Sequence, residues 1–307
     1  MWLALGTVYV IWGSTYLAIR VVVESLPPLG SAGVRFTFAG LVLGTIVALR
    51  RGPAALRVTR AQLRGAGIVG IFLLLLGNGS VQLGERDVPS ALAALIIGST
   101  PLWIVLYRRV AGERIEGTVL VGVLIGFVGV AVLVLPRGIS GEVAPVGLLF
   151  ILIASAAWGW GTFMSKRLAM PHDALTSTTL QQLLGGLGLL AAAVLTGERI
   201  DPAAWTSRSL VALAYLVVFG SLVAFSAYTW LLVHVPVSKV STYAYVNPVV
   251  AVLLGALILA EPITSSIIFG AILIITAVAF IVRKQAPPAP DEAIDIGDAR
   301  PTVRSPS

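Results

Sequence analysis

Long apolar runs alternate along this chain with short breaks that carry charge, glycine or proline. A helix needs about 20 apolar residues to cross the hydrocarbon core of a bilayer. Ten runs of that kind are predicted, over residues 2–23, 29–49, 65–84, 90–107, 118–136, 146–165, 176–196, 209–233, 240–260 and 266–282. The breaks are rich in turn formers: Ser25-Leu26-Pro27-Pro28, Glu85-Arg86-Asp87-Val88-Pro89, and the stretch 137–145 in the middle of the chain. In lipid each helix satisfies its own backbone hydrogen bonds. The reading is an all-α polytopic membrane protein with ten transmembrane helices. Residues 1–23 lack a basic leader segment and an obvious small-residue cleavage site, and further spans follow, so they are read as the first permanent helix.

The pattern occurs twice. Trp12-Gly13 returns as Trp158-Gly159, Val88-Pro89 as Val235-Pro236, Pro101 as Pro248, and the pair Glu113 and Ile115 as Glu261 and Ile263. The offset is 146 residues at the first pair (158 − 12) and 148 at the last (261 − 113). Leucine, glycine or alanine matches carry little weight in so apolar a chain, but rare residues recurring in order do. Each copy holds five predicted spans, and an odd-span repeat inserts in opposite orientations. Five-plus-five inverted-topology repeats are typical of secondary transporters. The expected organisation is a first repeat over residues 1–136, a connecting loop over 137–145, a second repeat over 146–283, and a tail over 284–307. The tail is rich in Pro, Asp and Ala and is expected to be disordered and cytoplasmic.

Charge fixes the expected orientation. With the N-terminus inside, Arg50, Arg51, Arg57, Arg60, Arg64, Arg108, Arg109, Arg114, Lys166, Arg167, Lys239, Arg283, Lys284, Arg300 and Arg304 face the cytoplasm. Only Arg86, Arg137, Arg199 and Arg208 fall outside, so the count is 15 against 4. Both termini are then cytoplasmic, and the cytoplasmic and opposite ends of the bundle are called inner and outer below. Composition agrees: 57% of residues are hydrophobic and 11% charged, where a soluble domain is nearer a quarter charged. The net charge of +7 lies between apolar runs, which argues for membrane orientation rather than a nucleic-acid partner. There is no cysteine, and the two histidines, His172 and His234, sit near span ends without partner motifs. No nucleophile–base pair or metal cluster is legible, so neither an enzyme nor a cofactor is expected. Gly186-x-Gly188-x-x-Ala191 lies inside an apolar span, outside any strand–turn–helix context, and is not read as a dinucleotide site.

The segments Ile11-Trp12-Gly13-Ser14-Thr15-Tyr16, Gly33-Val34-Arg35-Phe36, Gly77-Asn78-Gly79 and Tyr243-Ala244-Tyr245-Val246-Asn247-Pro248 resemble EamA-type transporters of the drug/metabolite transporter superfamily. Within that family the chain is most similar to the YedA-like exporters of bacterial inner membranes. The resemblance covers about residues 1–283 and leaves out the tail. It implies ten helices around a central cavity whose access alternates, lined mainly by the first, third, fourth, sixth, eighth and ninth. It also implies export of amino acids or related small metabolites across the bacterial cytoplasmic membrane. A small molecule and membrane lipids are the expected partners, and a monomer is favoured. Efflux of drugs is the alternative, and a noncatalytic scaffold a further one.

Candidate site residues follow from position and chemistry. Pro101 and Pro248 lie inside their spans and cannot donate to the carbonyls of Ile97 and Ala244, so each should kink its helix. They are read as a paired hinge or as static kinks, with Thr100 and Asn247 able to satisfy the freed backbone. Asn78 and Gln82 are four residues apart on one face of the third helix, and Tyr243 and Asn247 repeat that spacing on the ninth. Such amides bind substrate or bond another helix. Trp12, Thr15 and Tyr16 on the first helix, Trp158 on the sixth and Tyr228 with Thr229 on the eighth complete the candidate lining. Arg35 lies about 9 Å along the second helix. Snorkelling to the outer surface is the favoured reading; a substrate carboxylate or an outer ion pair is the other. Gln181 matches it in the second copy. Arg20 and Lys166 match each other at span ends and are expected to snorkel. Glu113 and Glu261 fall at opposite membrane faces, as caps, ion pairs or gate latches. No Asp or Glu falls mid-span, which argues against a central-carboxylate proton antiporter. Gly40-xxx-Gly44 and Gly122-xxx-Gly126 fit close helix packing, within the chain or in a dimer.

Overall fold

The computed structural model describes residues 1–140, 143–235, 240 and 242–284, apart from the side chains of 136–140, 232 and 233. Pro236, Lys239 and the tail from residue 285 lie outside the described residues, and so does the expectation of a disordered tail. Ten helical spans follow in order. They are α1 (Trp2–Val23), α2 (Pro28–Arg51), α3 (Arg60–Gly84), α4 (Ser90–Val110), α5 (Gly117–Ser140), α6 (Pro145–Ser165), α7 (Ala174–Leu195), α8 (Ser207–Tyr215, Leu216–Ala224 and Phe225–His234), α9 (Tyr243–Leu259) and α10 (Ser265–Lys284). Among the described residues nine are long and apolar enough to cross a membrane. The exception is α9, at 17 residues; its predicted run began at residue 240, in a stretch only partly described. Starts are set by proline at the first helical position, as at Pro28 and Pro145, or by capping side chains. Thr59 and Gln62 form a capping box at α3, and Asp173 accepts from the Thr176 N–H at α7.

Opposed repeats are visible in helix contacts. Gly33, Gly40 and Gly44 of α2 meet Leu190, Leu183 and Thr179 of α7, so early residues face late ones and the pair is antiparallel. Gly122, Gly126 and Gly129 of α5 meet Phe280, Ala277 and Ile274 of α10 in the same sense. The second and fifth helices of one copy thus run against their counterparts. Both Gly-xxx-Gly stripes are used inside the chain, where the missing side chains let backbones approach. Bonds at the helix ends agree. At the outer end Glu198 accepts from the N–H groups of Leu29 (3.0 Å) and Gly30 (2.6 Å). At the inner end Arg51 pairs with Asp173 at 2.5 Å.

Two large apolar cores organise the spans: one is shared by α4, α5, α9 and α10 with the start of α6, the other by α1, α2, α3, α7 and α8; a third, smaller core joins α1, α3, α6 and α8. The sixth helix bridges the two large cores. It meets α4 at Gly159 and α3 at Gly161. Large apolar side chains such as Phe38, Leu124 and Phe269 are exposed on the perimeter, as lipid-facing surfaces are.

Two features were not expected. The middle of α3, Ile71–Asn78, and the middle of α8, Leu216–Ala224, are π-helical. They stand at matching places in the two copies, 145 residues apart at their starts (216 − 71). Extended π segments are rare and often mark functional sites. The second feature is a difference between the two duplicated prolines. In α4 the helix lapses at Gly98 and Ser99, and Pro101 is the second residue of the segment that resumes. In α9 Pro248 sits inside a continuous helix. The freed Ile97 carbonyl accepts instead from the Thr100 hydroxyl at 2.7 Å. Asn247, its amide nitrogen turned toward the nearby acceptors, donates to the carbonyls of Tyr243 (3.2 Å) and Tyr9 (3.1 Å). The two prolines are therefore accommodated differently.

Candidate substrate cavity

The duplicated residues converge at the middle of the bundle. Gly13 packs on α9, where a Cβ would lie 2.6 Å from Val250 Cβ and 3.2 Å from the Asn247 carbonyl oxygen. Gly159 packs on α4, where a Cβ would lie 2.8 Å from Trp103 Cβ and 3.4 Å from the Thr100 carbonyl oxygen. Each Trp-Gly thus meets the residue ahead of the duplicated proline in the other copy. The two recurrences in the sequence are two sides of one contact, made twice.

These contacts bring the tryptophans together. The rings of Trp12 and Trp158 meet edge to face, centroids 5.8 Å apart at 88°. Trp12 also meets Tyr228 at 4.7 Å and Tyr243 at 5.3 Å. Such ring pairs contribute about 0.5–1.5 kcal/mol each beyond burial. Around them lies a cavity lined by Trp12, Thr15, Tyr16, Asn78, Trp158, Tyr243 and Asn247, with Ile19, Phe36, Val81, Ile97, Thr100, Gly220 and Phe225 completing the wall. Most named candidates are therefore brought together. Tyr228 stands behind them, buried against Trp12 and Tyr243. Asn78 donates to the Leu73 carbonyl at 3.1 Å, five residues back in the π segment.

Gln82 points elsewhere. It is fully buried and accepts from the Ser31 hydroxyl of α2 at 3.3 Å. Gln82 serves as an interhelical bond.

Arg35 also lines the cavity, against the favoured expectation of snorkelling. It is 3% exposed, and its Nε donates to the Ser221 hydroxyl at 2.8 Å. Among the described residues it has no carboxylate partner, and its Nη1 has no hydrogen-bond partner. Gly220 makes the inward course possible: a Cβ there would lie 2.8 Å from Arg35 Nη2. An unpaired guanidinium offers forked donors that suit a carboxylate.

The two glutamates of the repeat have different partners. Glu113 follows α4 at the inner end and accepts from Arg108 Nε at 2.6 Å and from Arg167 of the α6 end. Those bonds, that to Arg108 foremost, hold its carboxyl below the usual range. Glu261 follows α9 at the outer end and caps α4. It accepts from the Ser90 N–H (2.8 Å), the Ser90 hydroxyl (2.9 Å) and the Ala91 N–H (2.9 Å). Neither faces the cavity. Arg20 does not simply snorkel either, because it donates to the backbone carbonyls of Glu85 and Arg86.

The model of the EamA-like transporter family matches residues 1–135 and 145–283. The chain is 38% identical over 253 residues to the "Uncharacterized inner membrane transporter YedA" of Escherichia coli (strain K12), covering 82% of this chain and 80% of that protein. It is 25% identical over 283 residues to the "Uncharacterized transporter YvbV" of Bacillus subtilis (strain 168), covering 92% and 91% of the two chains. A solved crystal structure aligns with a TM-score of 0.65 at 22% identity, over 92% of this chain and 98% of the other. That likeness bears on the fold alone.

Proposed function

Because the chain belongs to the EamA-like transporter family, and so is a multi-pass membrane transporter rather than an enzyme, we propose that it exports small carboxylate-bearing metabolites, amino acids above all, by alternating access to the cavity around Trp12 and Trp158. It does so in a bacterial cytoplasmic membrane, with both termini in the cytoplasm. The observation that carries the reading is Arg35: a buried cation with no acidic partner among the described residues, on the wall of an aromatic cavity. A cation in a membrane interior is expensive and normally finds a counter-ion. A substrate carboxylate supplies one. The rings accept an apolar side chain, and Asn78, Thr100 and Asn247 supply amides and a hydroxyl. A facilitator and an ion-coupled exporter both fit this scheme.

Efflux of flat apolar drugs is the second reading, favoured by the cluster of Trp12, Phe225, Tyr228 and Tyr243. Arg35 works against it for cationic drugs. Counterflow by purified protein in liposomes separates the two, across neutral L-amino acids, sugars, nucleosides and cationic drugs. Saturable counterflow is expected for amino acids. Arg35→Gln should lower it at least about tenfold, since a bond to a charged group contributes about 1.5–3 kcal/mol. Undiminished amino-acid flux in that variant at normal membrane abundance would remove Arg35 from the site. Drug flux without amino-acid flux would favour the second reading, and no flux at all would leave a scaffold.

A further inference from the structure

The first residue beyond α3 carries a second unpaired group, of opposite sign. Glu85 is 0% exposed, and neither of its carboxylate oxygens has a hydrogen-bond partner. It lies one turn outward from the cavity, its N–H bonded to the carbonyl of the lining residue Val81 at 2.8 Å. We propose that Glu85 is the proton site of this transporter, neutral while buried as it is here, and ionised when the outer end opens.

The groups around it account for this. From α1, Arg20 Nη1 donates to the carbonyls of Glu85 and Arg86, and no cationic nitrogen among the described residues forms an ion pair with the Glu85 carboxylate. Tyr16, also on α1, lies within its electrostatic reach and lines the cavity. From α6, Ile151 and Gly147 pack on Gly84 and bring no charge. Arg86 and Asp87 belong to the same turn. The remaining group is Glu261, which arrives from the loop after α9 and is held by Ser90 and Ala91 at the start of α4. Burial pushes the Glu85 carboxyl well above the usual carboxylate range, Glu261 adds to the rise, and Arg20 opposes it.

The placement gives the proton a mechanical consequence. Glu85 follows α3, and Glu261 follows α9. Two carboxylates brought together cannot both ionise cheaply. With Glu85 protonated, the ends of α3 and α9 close together. With its proton lost to outer water, the like charges repel and Glu85 gains hydration on opening. The step is a single O–H ionisation, reversed by a proton from water on closing. This site is separate from Arg35, so the assignment does not require that the substrate be an amino acid; it does rest on alternating access.

The chain has no cysteine, so one introduced thiol reports access cleanly. In proteoliposomes of known sidedness, Val81→Cys is labelled from outside with a membrane-impermeant maleimide at a series of outer pH values. The rate is divided by that of Val81→Cys/Glu85→Gln at the same pH, which cancels the thiol's own ionisation. The ratio is expected to rise with pH, approaching tenfold per unit until the site is fully ionised. A ratio that stays flat overturns the proposal. Since Glu85→Gln could misfold, infrared spectroscopy of the chain with its native Glu85 gives an independent reading. A protonated-carboxyl band at neutral pH that disappears on alkalinisation is expected, with no such band overturning the assignment. Neither measurement uses a substrate. Failed counterflow would therefore sink the export reading and leave this one to stand or fall separately.

Discussion

Arg35 on α2 and Gln181 on α7 stand at equivalent places in the two copies, 146 residues apart (181 − 35). Arg35 reaches the cavity beside Gly220 and Ser221 of the opposite copy. Gln181 donates to Ser177 on its own helix at 2.9 Å, and its backbone packs on Gly70 of α3. The glycine contacts behave otherwise. Gly13 on α9 and Gly159 on α4 are near-replicas. Duplication has kept the backbone approaches that build the cavity and has let charge diverge. A transporter with opposed repeats needs symmetry in its motion, whereas the proposed substrate, a carboxylate with an apolar side chain, needs charge at one place only.

Experiments can press on that contrast. The largest effect is expected from Gln181→Arg, which would give the second copy the charge it lacks. No cavity receives it, and an unpaired arginine inside a span costs up to about 3 kcal/mol on insertion scales. Membrane abundance and thermal stability in detergent should both fall. A stable variant with a changed substrate range would show that the copies are interchangeable after all. Next come Gly13→Ala and Gly159→Ala. Each added methyl meets a neighbour too closely, by the distances above, and overpacking costs about 1–3 kcal/mol. Similar losses of stability are expected from the two, and a loss confined to one would break the equivalence.

Smaller effects are expected at the duplicated glutamates, and these should be unequal. Glu261→Gln weakens the cap on α4, and cap losses are about 0.5–2 kcal/mol. Glu113→Gln breaks an ion pair whose side chain is 33% exposed, and such pairs contribute about 0–1 kcal/mol. The sign of the pH dependence follows from the lowered carboxyl of Glu113. Its small contribution is present above the ordinary glutamate range and is lost as pH falls through the lowered value. Thermal melts over acidic pH should show that slope removed in Glu113→Gln. At Glu85 the carboxyl is raised, so the sign reverses. Its contribution is present at low pH and is lost as pH rises through the raised value.

Much of the scaffold was readable without coordinates. Span length and the arginine count gave the helices and their opposed sense, because bilayer thickness and insertion leave direct marks on composition. Recurrence of Trp12-Gly13 and Pro101 showed that something was built twice. That the glycine of one copy lies on the proline segment of the other was not legible, since a repeat compares like with like and the contact joins unlike parts. Arg35 was misjudged for a related reason. About one and a half turns into a helix, an arginine can reach water or turn inward, and the choice rests on whether a neighbour leaves room, here Gly220. The π segments left no trace because one extra residue in a run such as Ile71-Phe72-Leu73-Leu74-Leu75-Leu76 does not disturb an apolar pattern. Glu85 reads in the sequence as an interfacial carboxylate, because it sits one residue past a span, where carboxylates are ordinarily wet.

The twin glycine contacts have a geometric consequence. Two fixed points define a line, and the one rigid rotation that displaces neither is rotation about it. Gly13 joins α1 to α9, and Gly159 joins α6 to α4. Both contacts lie well inside their spans. The alternating access proposed above would then be a rotation about that line, narrowing one side of the cavity as it widens the other. The duplicated Trp-Gly is in this sense an axle, with bearings at both ends made from the same part.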